Sequence, residues 1–216
     1  MAGAGEPIQT QRIKRSSDGR IFAVTKSEQM ATDHEVELAS TSLVLRPFRL
    51  DDAEAIHDAV RESMAELGQW LSWCHPQYTI HDTIQFLSSR AEAFRKDGEV
   101  GFAVLERSSG RLVGGCGINQ IDQAALRANL GYWLRTSATK RGYAVEAARL
   151  VARWALLTLG LERIEIVAAT GNHASQRVAA NLGALREAVA RKRLRVHGVQ
   201  HDAVVFSLIR ADFAQP

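Results

Sequence analysis

Residues 131–147 constrain the fold more than any other stretch of this chain. The run Gly-Tyr-Trp-Leu-Arg-Thr-Ser-Ala-Thr-Lys-Arg-Gly-Tyr-Ala-Val-Glu-Ala takes a strand through a short polar loop straight into a helix. Aromatic and branched side chains up to Leu134 suit a pleated strand, and the alanine- and leucine-rich run 142–159 has helical periodicity that stops before Gly160. A helix that follows a strand buries its apolar face against a sheet. The strand pattern resumes at 163–168, Asn172 caps a second helix that stops at Leu182-Gly183, and 184–195 with 199–209 reads as a terminal hairpin. Upstream, 100–106, 112–118 and 126–134 read as consecutive strands with turns at Ser109-Gly110 and near Gln123. An α/β domain on a mixed sheet is expected.

Earlier in the chain, Leu43-Val44-Leu45 before Arg46-Pro47 reads as an edge strand, because proline suits strand ends and edges. Asp51 and Asp52 open a helix carrying Ala53, Ile56, Ala59 and Val60 on one face. An aromatic segment follows, Leu67-Gly68-Gln69-Trp70-Leu71-Ser72-Trp73. Thr79 and Asp82 then form a capping-box-like start for a helix ending near Gly98, with Ile80, Ile84, Leu87, Ala91 and Phe94 at helical spacing. Before Leu43, where order is expected to begin, residues 1–40 show no sustained periodicity beyond a short strand pattern at 21–25. They read as a flexible N-terminal extension to a domain spanning 41–216.

Composition narrows the class. The chain has 216 residues, 46% of them hydrophobic, which is enough for one globular domain with a sizeable core. Cys74 and Cys116, the two cysteines, make no disulfide framework. There is no apolar run of the ~18 residues a membrane span needs and no apolar signal core, so a soluble cytoplasmic protein without membrane partners is expected. The net charge of +3 suits anionic ligands but falls short of a dedicated nucleic-acid binder. The basic run Arg191-Lys192-Arg193-Leu194-Arg195 alternates like a strand with one wet face.

At the 131–147 junction, exposed N–H groups and the positive end of the helix dipole make a site suited to a pyrophosphate. Lys140 and Arg141 add charge there, and Gly142 and Ala144 admit close backbone approach. The loop is neither a Walker A loop nor a dinucleotide fingerprint, and Gly114-Gly115-Cys116-Gly117 reads as close strand packing.

Taken together, Gly131-Tyr132-Trp133-Leu134, Gly142-Tyr143-Ala144 with Glu146-Ala147, and Asn172-His173-Ala174-Ser175-Gln176-Arg177-Val178 resemble the GNAT acetyltransferases, within them the RimJ/RimL type. Leu43 to Pro47, Trp70-Leu71-Ser72-Trp73, Asn181-Leu182-Gly183-Ala184 and Asp202-Ala203-Val204-Val205-Phe206-Ser207-Leu208 extend the likeness over 41–213. The resemblance implies a twisted, mostly antiparallel mixed sheet flanked by helices, with acetyl-CoA as acyl donor. It also implies a primary-amine acceptor, either a ribosomal or other protein N-terminus or a small amine, and a homodimer. Main-chain groups of Trp133, Leu134 and Arg135 would hold the pantetheine arm. Lys140, Arg141, Gly142, Tyr143 and Ala144 would form the pyrophosphate loop, with Thr139 where the family has Gln or Arg. Asn172 and Ser175 would flank the cofactor thiol.

The chemistry sets the roles. An amine must lose a proton to attack a thioester, the developing oxyanion needs a fixed donor, and the leaving thiolate needs a hydroxyl. Leu134 N–H is the candidate oxyanion donor and Ser175 the candidate partner of the thiolate. Glu66, beside the aromatic segment, is the first choice of base, ahead of Asp82 and Asp122. Trp70, Trp73, Trp133 and Tyr132 are candidate walls of an acceptor groove. Other readings are a catalytically silent acyl-CoA-binding protein, a nucleic-acid module using the basic strand, and a Cys74–His75 nucleophile pair. No spacing of Cys74, His75, His81, His197 or His201 matches a metal site.

Overall fold

A computed structural model describes residues 13–15, 21–23 and 36–213. The chain divides into two units, Met1–Val36 and Glu37–Pro216. In the first, β1 (Ile13–Arg15) pairs antiparallel with β2 (Ile21–Ala23), Lys14 opposite Phe22. The remainder of the expected extension up to residue 35 lies outside the described residues.

The second unit is an eight-stranded mixed sheet. Its strands are β3 (Leu38–Ala39), β4 (Leu43–Pro47), β5 (Val100–Glu106), β6 (Leu112–Asp122), β7 (Arg127–Leu134), β8 (Arg163–Ala169), β9 (Leu185–Val196) and β10 (Val199–Ile209). They lie in the order β3-β4-β5-β6-β7-β8-β10-β9. Every neighbouring pair is antiparallel except β7 and β8. That one parallel pair needs a crossover, and the helix α4 (Tyr143–Leu157) supplies it. The other helices are α1 (Ala53–Glu62), α2 (Met64–Leu67), α3 (Ile80–Asp97) and α5 (His173–Leu182).

The central strands of the sheet are covered on both faces, and strand alternation assigns the faces. Ala103 joins Ile56, Ala59, Val60 and Leu87 beneath α1 and α3, while its neighbour Phe102 meets Trp154 of α4 edge-on at 5.4 Å. Gly115 of β6 has no side chain because the Trp133 indole crosses it, and a Cβ there would sit 2.6 Å from Trp133 Nε1.

Three details depart from expectation. β4 is not an edge, since Leu38 and Ala39 pair outside it with Leu45 and Val44, so the sheet begins five residues before Leu43. A two-residue strand has no periodicity to read. On α3, Ile80 and Ile84 are exposed and Thr83 is fully buried, its hydroxyl 2.9 Å from Tyr78 Oη. Helical spacing identifies a stripe but not which stripe meets the sheet; the Ala91 and Phe94 side chains lie outside the described residues. β6 runs on to Asp122, four residues beyond the expected end, because its hairpin partner β7 continues to pair with it.

Candidate active site

The parallel pair does not stay paired. Register between β7 and β8 runs from Arg127↔Arg163 to Asn129↔Glu165 and stops, although β7 continues to Leu134 and β8 to Ala169. The strands splay into a wedge. Arg135 N–H donates to the Val113 carbonyl at 2.9 Å, so alternation along an antiparallel ladder turns the main-chain groups of Trp133 and Gly131 toward β6. The N–H and C=O groups of Leu130, Tyr132 and Leu134 then face the wedge. Leu134 N–H thus stands on a free edge, as an oxyanion donor requires.

At the wide end of the wedge the chain turns into α4. Lys140 and Gly142 have φ of +61° and +82°, and a Cβ on Gly142 would meet nothing within 4 Å. The space before the helix is open. No side chain caps α4, and Glu146 N–H to Gly142 O, at 3.0 Å, is the bond that opens the helical ladder. The N–H groups of Tyr143, Ala144 and Val145 precede it, so the geometry fits a pyrophosphate on the helix N-terminus. Thr139 Oγ1 donates back to Thr136 O at 2.8 Å and closes the loop on itself. Arg141 pairs with Glu106 at 2.7 Å and lies over the Tyr143 ring, which halves the cationic charge expected here; Lys140 keeps its charge free among the described residues.

The C-terminus of α1 clamps this loop, a feature the sequence reading missed. Glu62 accepts from Arg135 Nε at 2.8 Å and from Ser137 N–H at 2.7 Å. Ser63, fully buried, accepts from Thr136 N–H at 2.8 Å while donating to Ala59 O at 2.8 Å. The Arg135 side chain is therefore committed to Glu62, and its main chain is engaged as well, the N–H with Val113 O and the C=O with Ala138 N–H, each at 2.9 Å. Arg135, and Trp133 whose main chain faces β6, thus lack the free main-chain groups that the resemblance assigned to the pantetheine arm, and Leu134 keeps them. The signal in sequence is Glu-Ser at a helix end, which reads as an ordinary surface.

Across the sheet lies the aromatic segment. Trp73 meets Trp133 edge-on at 6.0 Å and Tyr78 at 6.0 Å, and the Trp70 ring lies 3.0 Å from where a Cβ on Gly171 would sit. His197 Nε2, at the turn of the terminal hairpin, donates to the Gly68 carbonyl at 2.8 Å. The segment thus reaches from β7 to the β8–α5 loop and the hairpin.

Ser175 lies in the first turn of α5, where Asn172 Oδ1 accepts from Ser175 N–H at 3.0 Å, the cap expected from sequence. Tyr132 Oη lies 3.1 Å from Ser175 Oγ and donates to Ser175 O at 3.1 Å. Tyr132 is therefore on the α4–α5 face, opposite Trp133, and is not a wall beside the tryptophans; strand alternation separates the two. Burial pushes its phenol up to about 12.

The three carboxylates considered as bases differ. Asp82 accepts from Thr79 N–H and Oγ1 at 2.7 and 2.8 Å, which caps α3, and Asp122 accepts from Ala124 and Ala125 N–H in the β6–β7 turn. Hydrogen bonds from Thr79 and from Ala125 hold their carboxyls below the usual range. Glu66 is exposed on α2 and has no side-chain hydrogen bond or ion pair among the described residues; no contact joins it to Ser175 or Leu134. Cys74 is buried against Met64 Sδ with its thiol pushed up by burial, so it is no activated nucleophile. Among the described residues no three His, Cys, Asp or Glu converge, and no helix is long and apolar enough to cross a membrane.

A splayed parallel pair, a free strand edge and an uncapped helix start lie together at one end of the sheet, and comparison with known proteins identifies the family. The acetyltransferase (GNAT) domain model matches residues 42–185, and the chain belongs to this family of acyltransferases. YdaF of Bacillus subtilis (strain 168), which carries the provisional name of a ribosomal N-acetyltransferase, is 30% identical over 174 residues, covering 79% of this chain and 93% of YdaF. A Vibrio cholerae structure provisionally described as a ribosomal-protein-serine acetyltransferase is 32% identical, with a TM-score of 0.73 over 82% of this chain and 98% of that one. The fold also matches RimL, a ribosomal L7/L12 alpha-N-protein acetyltransferase in complex with coenzyme A. There the TM-score is 0.70 at 23% identity, over 81% of this chain and 98% of RimL.

Proposed function

We propose that this protein transfers the acetyl group of acetyl-CoA to a primary amine, either a protein N-terminus such as a ribosomal protein's or a small amine. The observation that carries this reading is the wedge between β7 and β8 ending at the uncapped start of α4. The main-chain groups of Leu134, on the free edge of β7, hold the pantetheine arm. Lys140, Arg141, Gly142, Tyr143 and Ala144 cradle the pyrophosphate, with Asn172 and Ser175 beside the thiol. Acetyl-CoA supplies the activated acyl carbon. Leu134 N–H receives the developing oxyanion, Ser175 Oγ–H donates to the departing sulfur, and Glu66 accepts the amine proton, directly or through water. The names of YdaF and the Vibrio cholerae structure support a ribosomal-protein acceptor. A homodimer belongs to the same reading and is read out by sedimentation.

Calorimetric titration of acetyl-CoA into wild type and Gly142→Glu tests it, because the added carboxylate faces the pyrophosphate. Since φ at Gly142 is +82°, thermal melting of the variant accompanies the titration. Micromolar binding lost in a folded variant, followed by amine-dependent thiol release, is the expected result. A wild type that binds no acetyl-CoA refutes the reading. Binding without thiol release for any amine or N-terminal peptide identifies a silent acyl-CoA-binding protein instead.

A further inference from the structure

Tyr132 has one proton and two acceptors. Its Oη stands 3.1 Å from the Ser175 carbonyl and 3.1 Å from Ser175 Oγ. These are the atoms of one residue, in the first turn of α5, while Tyr132 belongs to β7 on the other side of the wedge. When Tyr132 donates to the carbonyl, Ser175 Oγ–H can donate only to Tyr132 Oη within this pair. When Tyr132 donates to Oγ, the Ser175 proton is released to point elsewhere. A rotation of one hydroxyl moves between the two patterns without any change in the heavy-atom positions.

We propose that Tyr132 is a positioning residue for Ser175, its hydroxyl passing from the Ser175 carbonyl to Ser175 Oγ as the Ser175 proton turns to the departing sulfur. This inference rests on the acetyl-transfer reading above. The step balances without net loss of either hydroxyl proton. The amine lone pair forms the C–N bond, the C–S bond breaks with its electron pair on sulfur, the amine proton leaves to the base, and the thiolate departs hydrogen-bonded to Ser175. The chain Tyr132 O–H to Ser175 O–H to sulfur strengthens as charge develops, since each hydrogen bond polarises the next. Burial supports the assignment, because it keeps the phenol protonated through the working pH range and so keeps it a donor. The same strand places Leu134 two residues on, so the oxyanion donor and the Tyr132 ring are fixed by one element.

A merely structural Tyr132 would also tie β7 to α5, so the test separates the two roles by dependence on Ser175. Steady-state thiol release is measured for wild type, Tyr132→Phe, Ser175→Ala and the double variant, each checked by thermal melting. The expected result is a fall of about tenfold in kcat for Tyr132→Phe, the scale of one hydrogen bond, with the KM for acetyl-CoA within about twofold of wild type. In the Ser175→Ala background, Tyr132→Phe then changes kcat no further. Wild-type kcat in Tyr132→Phe overturns the proposal, as does an equal fractional loss in both backgrounds or a loss confined to KM. Those outcomes leave the transferase reading standing. Wild type that neither binds acetyl-CoA nor releases thiol removes both.

Discussion

Replacing Glu62 by Gln removes one charge at the point where α1 grips the β7–α4 loop. Hydrogen bonds from Arg135 first, and then from Ser137, outweigh the cost of burial and hold the Glu62 carboxyl at about 2. Against the ordinary value of 4.5 this would correspond to ~3 kcal/mol in an unscreened site. The Glu62 side chain keeps 28% of its exposure, so water screens the pair, and a loss of ~1 kcal/mol is the working figure. The folded value lies below the unfolded one, so the stabilisation is present above pH 4.5 and is lost as the pH falls through 2. Urea unfolding of wild type and Glu62→Gln should therefore show a lower midpoint for the variant at pH 7 with an unchanged slope. The gap should close progressively between pH 4.5 and 2. A loosened loop also weakens acetyl-CoA binding several-fold at pH 7, read by calorimetry, if the loop cradles the pyrophosphate as proposed. Coincident midpoints at pH 7, or a gap that does not change with pH, would refute the clamp.

Gly142→Ala costs ~1 kcal/mol through its left-handed backbone alone, since the new Cβ meets nothing; Gly115→Ala costs ~2–3 kcal/mol and changes Trp133 fluorescence, because its Cβ would press on that indole and on Phe48. Asn172→Ala loses the cap on Ser175 N–H and ~1 kcal/mol of stability in chemical unfolding. Cys74 and Cys116, both buried with thiols pushed up by burial, resist iodoacetamide at pH 8 in the native protein and react in urea; rapid native labelling would contradict their burial. Under the proposed mechanism, Glu66→Gln lowers kcat, whereas Asp82→Asn and Asp122→Asn leave turnover intact. A fully active Glu66→Gln would assign the base elsewhere.

Local signals carried well wherever an element follows from its own residues. Ile56, Ala59 and Val60 recur at helical spacing and are buried together on α1. Asn172 caps α5, Gly183 closes it at φ +88°, and His197-Gly198 turns the hairpin at φ +46° and +82°. In each case the responsible groups lie within a few residues of one another, so a chain read from end to end contains the whole cause. The strand-loop-helix junction at 131–147 belongs here too, because Gly142 marks the helix start in the sequence and is the N-cap in the structure.

What the tertiary structure alone decided is which distant groups meet. Ile80 and Ile84 share a stripe with Leu87 in sequence, yet only packing against β5 and β6 selects the buried side of α3. Tyr132 and Trp133 are adjacent residues that the pleat sends to opposite faces, one to Ser175 and one to Trp73. Glu62 reaches Arg135 and Ser137 across more than seventy residues. The sequence by itself determined the longer elements, their order and the helix start at Gly142, because those depend on backbone preference and local periodicity. The wedge arises where β7 and β8 part after Asn129 and Glu165, and the clamp and the paired hydroxyls are contacts between distant elements, since divergence of two strands and the meeting of remote groups are properties of the packed sheet and of no residue in it.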